Sequence, residues 1–453
     1  MANMIKIKKG LDIKLEGHAA EQVVAGKLSD LYAICPEDYH GVVPKLVIKP
    51  GDRVLAGTPL MVDKNCPEIQ FVSPVSGEVL AVNRGERRKI LDIQIKADSE
   101  IEYADFGKKN ISSMSTDEVK AAMLQMGLWG FVKQRPYDVI ANPADSPRDI
   151  FVTGFDSAPL APNMDFVVKG EEANFQLGLD ALKKLTTGKV YLGVRSGSVL
   201  ASMKGVEIVT VEGPHPASNV GVQIANISPV NKGETVWTVN GFDLILIGRS
   251  LAQGKADFAR LMPVAGSEVA KAVYTKAIIG AQISSIAGDK VKKENISLRF
   301  ISGNVLTGKK VSANGFLSPY AQQITIIPEG DDVHELFGWA MPGFAKFSVN
   351  HSFFTWLIDT LAPKKEYKID ARLQGGRRAI IMSNEYDRVL PMDILPEFLI
   401  KAVLAFDIDK MENLGIYEVA PEDFALCEFV DTSKLEIQHI IRTGLDQLRK
   451  EMN

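Results

Sequence analysis

KPGDRVLAGTPLMVDK, Lys49 to Lys64, followed by SPVSGEV, Ser73 to Val79, is the stretch on which the reading of the fold turns. Lys45–Lys49 alternates, Pro50-Gly51-Asp52 turns the chain, and Arg53–Ala56 resumes. Ser73-Pro74-Val75-Ser76-Gly77 turns it again before Glu78–Val82. Gly and Pro at this density punctuate short strands, because one supplies unusual backbone angles and the other fixes φ and removes a donor. Strands this short with turns this frequent predict a compact sandwich or barrel over residues 1 to about 100.

The rhythm then changes. Ser115 and Glu118 form a capping box, each side chain satisfying the other's orphan backbone N–H. Val119, Ala122, Met123 and Met126 follow on one helical face, and Gly127 stops the helix. Beyond it the sequence predicts strand Ile150–Thr153, helix Glu171–Leu185, strands Val190–Val194 and Val206–Val211, and an apolar strand Phe242–Ile247. Strand and helix in alternation argue for a parallel sheet flanked by helices, spanning 112–258. A smaller mixed unit covers 264–312, with apolar Ala277–Ile286 and strand Ser297–Ile301. An aromatic-rich, irregular connection covers 313–375. A helical C-terminus covers 376–453, where Leu395, Phe398, Leu399, Ala402 and Val403 share a face, Pro421 opens a helical turn, and Ser433 with Glu436 caps the last helix.

Composition narrows the function classes. The 453 residues carry a net charge of -4, so the clustered Lys and Arg that nucleic-acid binding needs are missing. The three cysteines, Cys35, Cys66 and Cys427, show no CxxC spacing, which argues against a zinc or iron–sulfur site and for a reducing compartment. The opening MANMIKIKKGLDIKLEG has no apolar core of signal-peptide length, and no run of 18 apolar residues reads as a membrane span. The six histidines (18, 40, 215, 334, 351 and 439) show no metal spacing; His215, between two prolines, reads as a structural loop residue.

Several motifs invite a sharper reading. The Lys49–Val79 turns resemble a lipoyl- or biotinyl-carrier domain, which would make Lys64 a swinging-arm lysine. The longer Lys64–Pro74 stretch and Asn65-Cys66-Pro67 favour an unmodified scaffold. Gly193–Ser198 follows a strand and could offer N–H groups to an anion. Gly248–Lys255 (GRSLAQGK) is a near miss of a P-loop, with one residue too many between its glycines and Ala256 where a Mg²⁺-binding hydroxyl belongs. Both read better as ordinary turns. GLWGFVKQRPYD, Gly127 to Asp138, places Trp129, Phe131 and Tyr137 beside Lys133 and Arg135: rings that could pack a flat quinone and cations that could bond its carbonyl oxygen. The bland alternative is a set of aromatics plugging a domain interface. Tyr32, Tyr39, His40 and Gly41 around Cys35 form a second, weaker cluster.

Taken with GVQIANISPVNKGETVWTVN (Gly221–Asn240), RFISGNVLTG (Arg299–Gly308), LFGWAMPGFAKFSV (Leu336–Val349) and EDFALCEFV (Glu422–Val430), these stretches resemble the NqrA family over nearly the whole chain. Its members are subunits of the Na+-translocating, sodium-pumping NADH:quinone reductase. The resemblance implies an N-terminal barrel-sandwich hybrid, a Rossmann-like α/β domain, a small ubiquitin-like SLBB domain and a helical C-terminus. The same order occurs in a related component of the Rnf complex and in the complex I flavoprotein. Where those relatives carry a GGAGFP flavin loop, this chain has GLWGFVKQRP, and of their cluster cysteines only Cys427 remains. The resemblance thus implies no flavin, metal or cluster on this chain. It implies a peripheral place on the cytoplasmic face of the membrane beside five other subunits. Their complex would pass electrons from NADH to quinone and export Na⁺. Candidate quinone contacts are Trp129, Phe131, Arg135 and Tyr137, with Tyr39, His40 and Gly41. A free-standing flavoprotein oxidoreductase and a purely structural adaptor are the rival readings.

Overall fold

The computed structural model describes residues 3–292, 296–331, 333, 343–349 and 353–452. His334, His351 and the Leu336–Pro342 part of the family-like stretch lie outside them. The chain begins by lending strands elsewhere: β1 (Asn3–Lys6) and β2 (Ala20–Val24) join two sheets formed far downstream.

The expected sandwich follows. Strands β3 (Leu31–Ile34), β4 (Pro44–Leu46), β5 (Arg53–Val54), β6 (Pro59–Asp63), β7 (Gln70–Val72), β8 (Gly77–Arg84) and β9 (Ile90–Ala97) make two antiparallel sheets, ordered β3-β9-β8-β5 and β4-β6-β7. Leu60, Met61, Val75, Val79, Ile93 and Ile95 are sealed between them.

The α/β domain opens with α1 (Thr116–Gln125), whose capping box is present as predicted. Next come β10 (Lys133–Arg135), β11 (Val139–Ile140), β12 (Ile150–Thr153), α2 (Met164–Val167), α3 (Glu172–Lys184), β13 (Val190–Val194), β14 (Glu207–Glu212), α4 (Val220–Ile227), β15 (Val236–Asn240) and α5 (Gly241–Gln253). The sheet runs β1-β14-β13-β12-β15-β10-β11; its first five strands are parallel and the last two antiparallel. Phe242–Ile247 is therefore not a strand but the first half of α5. Asn240 caps that helix by accepting from Phe242 N–H, and Gly254 ends it in the left-handed region. Buried on nearly every side, it shows none of the alternation that marks a half-exposed helix.

The third unit holds β16 (Ala259–Ala265), β17 (Val273–Ile278), α6 (Ile283–Ala287), β18 (Leu298–Ser302), β19 (Lys309–Val311) and β20 (Ile324–Pro328). With β2 they form a six-stranded sheet, β19-β18-β20-β16-β17-β2. Residues 315–360 are thus not irregular throughout: β20 is a fully buried strand, and α7 (Thr355–Leu361) lies at the other end.

The tail carries α8 (Pro396–Leu404), α9 (Ile408–Asn413), α10 (Ala425–Val430) and α11 (Ile437–Met452). On α8 only part of the predicted face is covered: Leu399, Ala402 and Val403 are buried, while Leu395 and Phe398 stay half exposed. Ser433 does not cap α11. Its hydroxyl donates to Ala379 O, Glu436 pairs with Arg377, and the Glu428 carboxylate takes the Gln438 N–H instead. One apolar core runs continuously through sandwich, α/β domain and six-stranded sheet; a second lies between the α/β domain and the C-terminal helices.

Candidate functional site

The segment after α1 enters the junction of three units because Gly127 permits it. Its φ is +68°, and a Cβ there would stand 2.7 Å from the Val72 side chain of the sandwich. A single 3-10 turn, Trp129–Phe131, then turns its rings inward. Trp129 is fully buried, its Nε1 donates to Ala141 O at 2.7 Å, and its ring meets Trp237 edge-on at 5.4 Å. Phe131 is buried between Tyr320 (6.1 Å) and Phe258 (6.2 Å).

Tyr39 arrives from the sandwich. Its ring centre lies 4.3 Å from Phe71 and 5.8 Å from Tyr320, and burial pushes its hydroxyl pKa well above the usual phenol range. Tyr320, from the loop before β20, donates to Gly130 O at 2.6 Å. Two of the predicted clusters, about ninety residues apart in sequence, thus meet around a ring that neither contains. Lys133 stands over that ring, its Nζ 4.7 Å from the centre and 3.6 Å from Asp138. Its side chain remains about one-third exposed, so it is the cation of the group that faces both rings and solvent.

Arg135, two residues on, is engaged elsewhere. It is 1% exposed and donates to Asp423 Oδ2 at 2.6 Å, Glu422 Oε1 at 2.9 Å and Glu418 O at 3.2 Å. Burial works against its charge, but Asp423 and Glu422 outweigh it and hold the guanidinium ionised. Tyr137 (φ +81°) packs on Tyr417 at 6.5 Å and gives its carbonyl to Arg442. His40 Nε2 lies 2.8 Å from Asp446, and a Cβ on Gly41 would meet Arg449 at 2.7 Å, so both residues face α11 rather than the rings.

The remaining motifs resolve into structure. Cys35 is half buried with its thiol pushed up to about 12, by burial first and then by Asp38, which leaves it a poor nucleophile. Tyr32 is core, its hydroxyl accepting from Ser29 N–H. Lys64 stands exposed where β6 leaves for a wide turn, in which Asp63 accepts the Asn65 N–H. In the Gly193–Ser198 loop, Arg195 donates to Gly213 O and lies over Phe155, while Ser198 bonds Asp165. Gly248–Lys255 is neither P-loop nor simple turn but the end of α5. A Cβ on Gly248 would collide with Asn174 O at 1.8 Å, so the glycine lets α3 and α5 cross closely.

Between β12 and β15, where the strand order reverses and open α/β sheets hold their ligands, the crevice is packed. A Cβ on Gly241 would sit 2.5 Å from Thr153 O and 3.3 Å from the Met164 methyl. Among the described residues no cluster of His, Cys, Asp or Glu is arranged to hold a metal, and no helix is long and apolar enough to cross a membrane.

Family models match in the order the fold displays. The NqrA N-terminal barrel-sandwich hybrid domain covers residues 5–98, the NqrA second alpha/beta domain 114–256, and the NQRA C-terminal domain, SLBB, 263–313. The corresponding subunit of the Na(+)-translocating NADH-quinone reductase of Yersinia pestis bv. Antiqua (strain Angola) is 34% identical over 453 residues, 99% of this chain and 100% of its own. The protein of the same name from Neisseria meningitidis serogroup A / serotype 4A (strain DSM 15465 / Z2491) is 36% identical over 454 residues, with the same coverage. Among solved structures, an NAD+-reducing NiFe hydrogenase in the air-oxidized state aligns over 51% of this chain and 52% of its own, at 11% identity and a TM-score of 0.32, a likeness too slight to bear on function.

Proposed function

From the premise that this chain belongs to the NqrA family of Na(+)-translocating NADH-quinone reductase subunits, we propose that it is a peripheral scaffold on the cytoplasmic face of that complex and lends one wall to its quinone site. Five partner subunits would carry the flavins and iron–sulfur centres, and the complex would couple NADH oxidation and quinone reduction to Na⁺ export. The close approach of Gly241 to Thr153 O and the Met164 methyl at the β12/β15 crevice supports a chain without its own flavin. The carrier-like sandwich and Rossmann-like sheet serve here as framework, and Lys64 carries no prosthetic group.

One observation carries the quinone reading: Tyr39, Phe131 and Tyr320 converge at a three-way junction under the ammonium of Lys133. Rings can sandwich a quinone head, and a partly exposed ammonium can bond the carbonyl oxygen that gains charge on reduction. Arg135 and Trp129 have structural duties in this reading. The rival is an adaptor without quinone contact, which the near-complete burial of Tyr39 and Phe131 favours.

The test is purification of the membrane complex in mild detergent through a tag on this chain, followed by quinone kinetics of Lys133→Ala and Tyr39→Phe. Co-purification of partner subunits with Na⁺-stimulated activity, and a several-fold rise in quinone KM at unchanged NADH KM, is the expected result. Intact assembly with unaltered quinone kinetics in both variants leaves only the adaptor.

A further inference from the structure

Past the carboxyl end of β12, a cavity of about 290 Å³ opens between the loop that follows the strand and the segment after α7. Its inner wall is Ser157, which follows β12. The serine is set by a closed polar group: Ser157 N–H donates to Ser218 Oγ (2.9 Å), Ser218 N–H donates to Ser157 Oγ (3.1 Å), and His215 Nδ1 lies 3.0 Å from the same Oγ. Ser157 Oγ also lies 2.8 Å from Ser218 Oγ, so three neighbours fix the hydroxyl at the cavity wall. His215 and Ser218 are themselves buried, and the His215 backbone is anchored by Asp12 at 2.8 Å.

The outer wall is basic. Lys14 is matched by Asp359 at 3.0 Å, and His18 stands 3.7 Å from Glu366. Lys364 and Lys365 also line the cavity and make no ion pair among the described residues; Lys365 gives its ammonium to a carbonyl, that of Phe344. The acid on the inner side, Asp12, is turned to the His215 N–H. The floor is apolar, formed by Ile13, Pro159 and Leu160, and Leu160 holds a left-handed φ of +59° that a leucine rarely adopts. A fixed hydroxyl and two ammonium groups without an ion pair among the described residues line one space of small-metabolite size, with Glu366 as the acid beside the lysines.

We propose that this cavity binds a compact dianion, the phosphate of a phosphoester or the paired carboxylates of a small acid, held between Ser157 Oγ and the ammonium groups of Lys364 and Lys365. The site is independent of the quinone junction and shares no residue with it. The two ends contribute differently. The lysines supply charge, and the serine supplies the directional bond that separates a bound anion from a merely condensed one. The carboxyl ends of parallel strands are the usual address for ligands in such sheets, and with the β12/β15 crevice packed, the open space on this edge lies beside β12 and β14 instead.

The experiment titrates the purified full chain with inorganic phosphate and, separately, succinate, against sodium chloride at matched ionic strength. Thermal unfolding reads both arms, and ³¹P line width reads the first. Saturable stabilisation by phosphate, succinate or both, beyond the chloride control, is expected; the stronger arm identifies the ligand as phosphoester or dicarboxylate. Lys364→Ala combined with Lys365→Ala is expected to weaken that binding at least about tenfold while leaving the anion-free unfolding temperature nearly unchanged. Ser157→Ala also orphans the Ser218 N–H, so the lysine pair is the cleaner variant. A response no larger than chloride in both arms, or equal saturation in the lysine variant, overturns the proposal.

Discussion

The α/β domain meets the C-terminal helices through an apolar core crossed by buried charge, and meets the sandwich and the six-stranded sheet largely through aromatic rings, with one buried ion pair, Asp243–Arg260, among them. On the first seam Arg135 binds Asp423 and Glu422, and Arg442 reaches the Tyr137 carbonyl. On the second, Tyr39, Phe71, Phe131, Phe258 and Tyr320 stack and tilt against one another. A buried ion pair spends much of its attraction on desolvation. It therefore adds little net stability but forbids any arrangement that leaves one partner alone. Ring packing adds stability mainly in proportion to the apolar area it buries, with a smaller contribution from edge-to-face geometry. The ionic seam should fix how the tail docks, and the aromatic seam should hold the three other units as one body.

Removing a charge from the ionic seam should produce the largest effect. Asp423→Ala leaves the buried Arg135 only Glu422, itself partly exposed, and the Glu418 carbonyl, and is expected to cost about 3 kcal/mol, read by urea unfolding. A loss below about 1 kcal/mol would mean the seam is hydrated and the contrast is false. A pH-sensitive group lies where the N-terminal segment meets the α/β domain. Burial pushes the His215 pKa down to about 4, below its ordinary 6.5. The neutral form is therefore the one that folding favours. Its stabilisation is complete above pH 6.5 and is lost as pH falls from there towards 4, by roughly 2–3 kcal/mol. His215→Gln should flatten that part of the stability–pH curve; an unchanged slope would place the titration elsewhere.

The ring cluster around Phe131 should respond to volume and ignore pH. Phe131→Leu is expected to cost about 1–2 kcal/mol with the same penalty at about pH 5 and pH 8, and a pH-dependent penalty would show the two seams to be coupled. The smallest stability change belongs to Lys133→Ala, under about 1 kcal/mol, because its pair with Asp138 and its place over Tyr320 are partly solvated. A larger loss would make Lys133 a structural residue and weaken its claim on quinone.

Much of this architecture was legible where local signals are self-contained. The Ser115 capping box, the Gly127 stop and the β12 and β13 strands need only their own neighbours. Phe242–Ile247 misled because six apolar residues fit a buried strand and a buried helix equally well. The deciding signals, a capping Asn240 and a terminal Gly254, flank the run rather than lie in it. At the candidate site the aromatic composition was readable, but the division of labour between Lys133 and Arg135 was not. It depends on Asp423, which is nearly three hundred residues away. Tyr320 gave no signal at all, because nothing in Ser318-Pro319-Tyr320 distinguishes a junction ring from a loop ring.

The opening strands have a consequence for how the molecule comes into being. Met4 pairs with Thr210, and Ala20 with Val273. On the ribosome, these residues have no sheet to join until roughly two hundred more have been made, so these contacts are among the slowest to close. The sandwich strands between residues 31 and 97 find their partners among themselves, while the segment before them waits and then threads into place along two edges. A bulky fusion at that end would burden the last step of assembly rather than the first, and its damage would show as incomplete closure of two sheets at once.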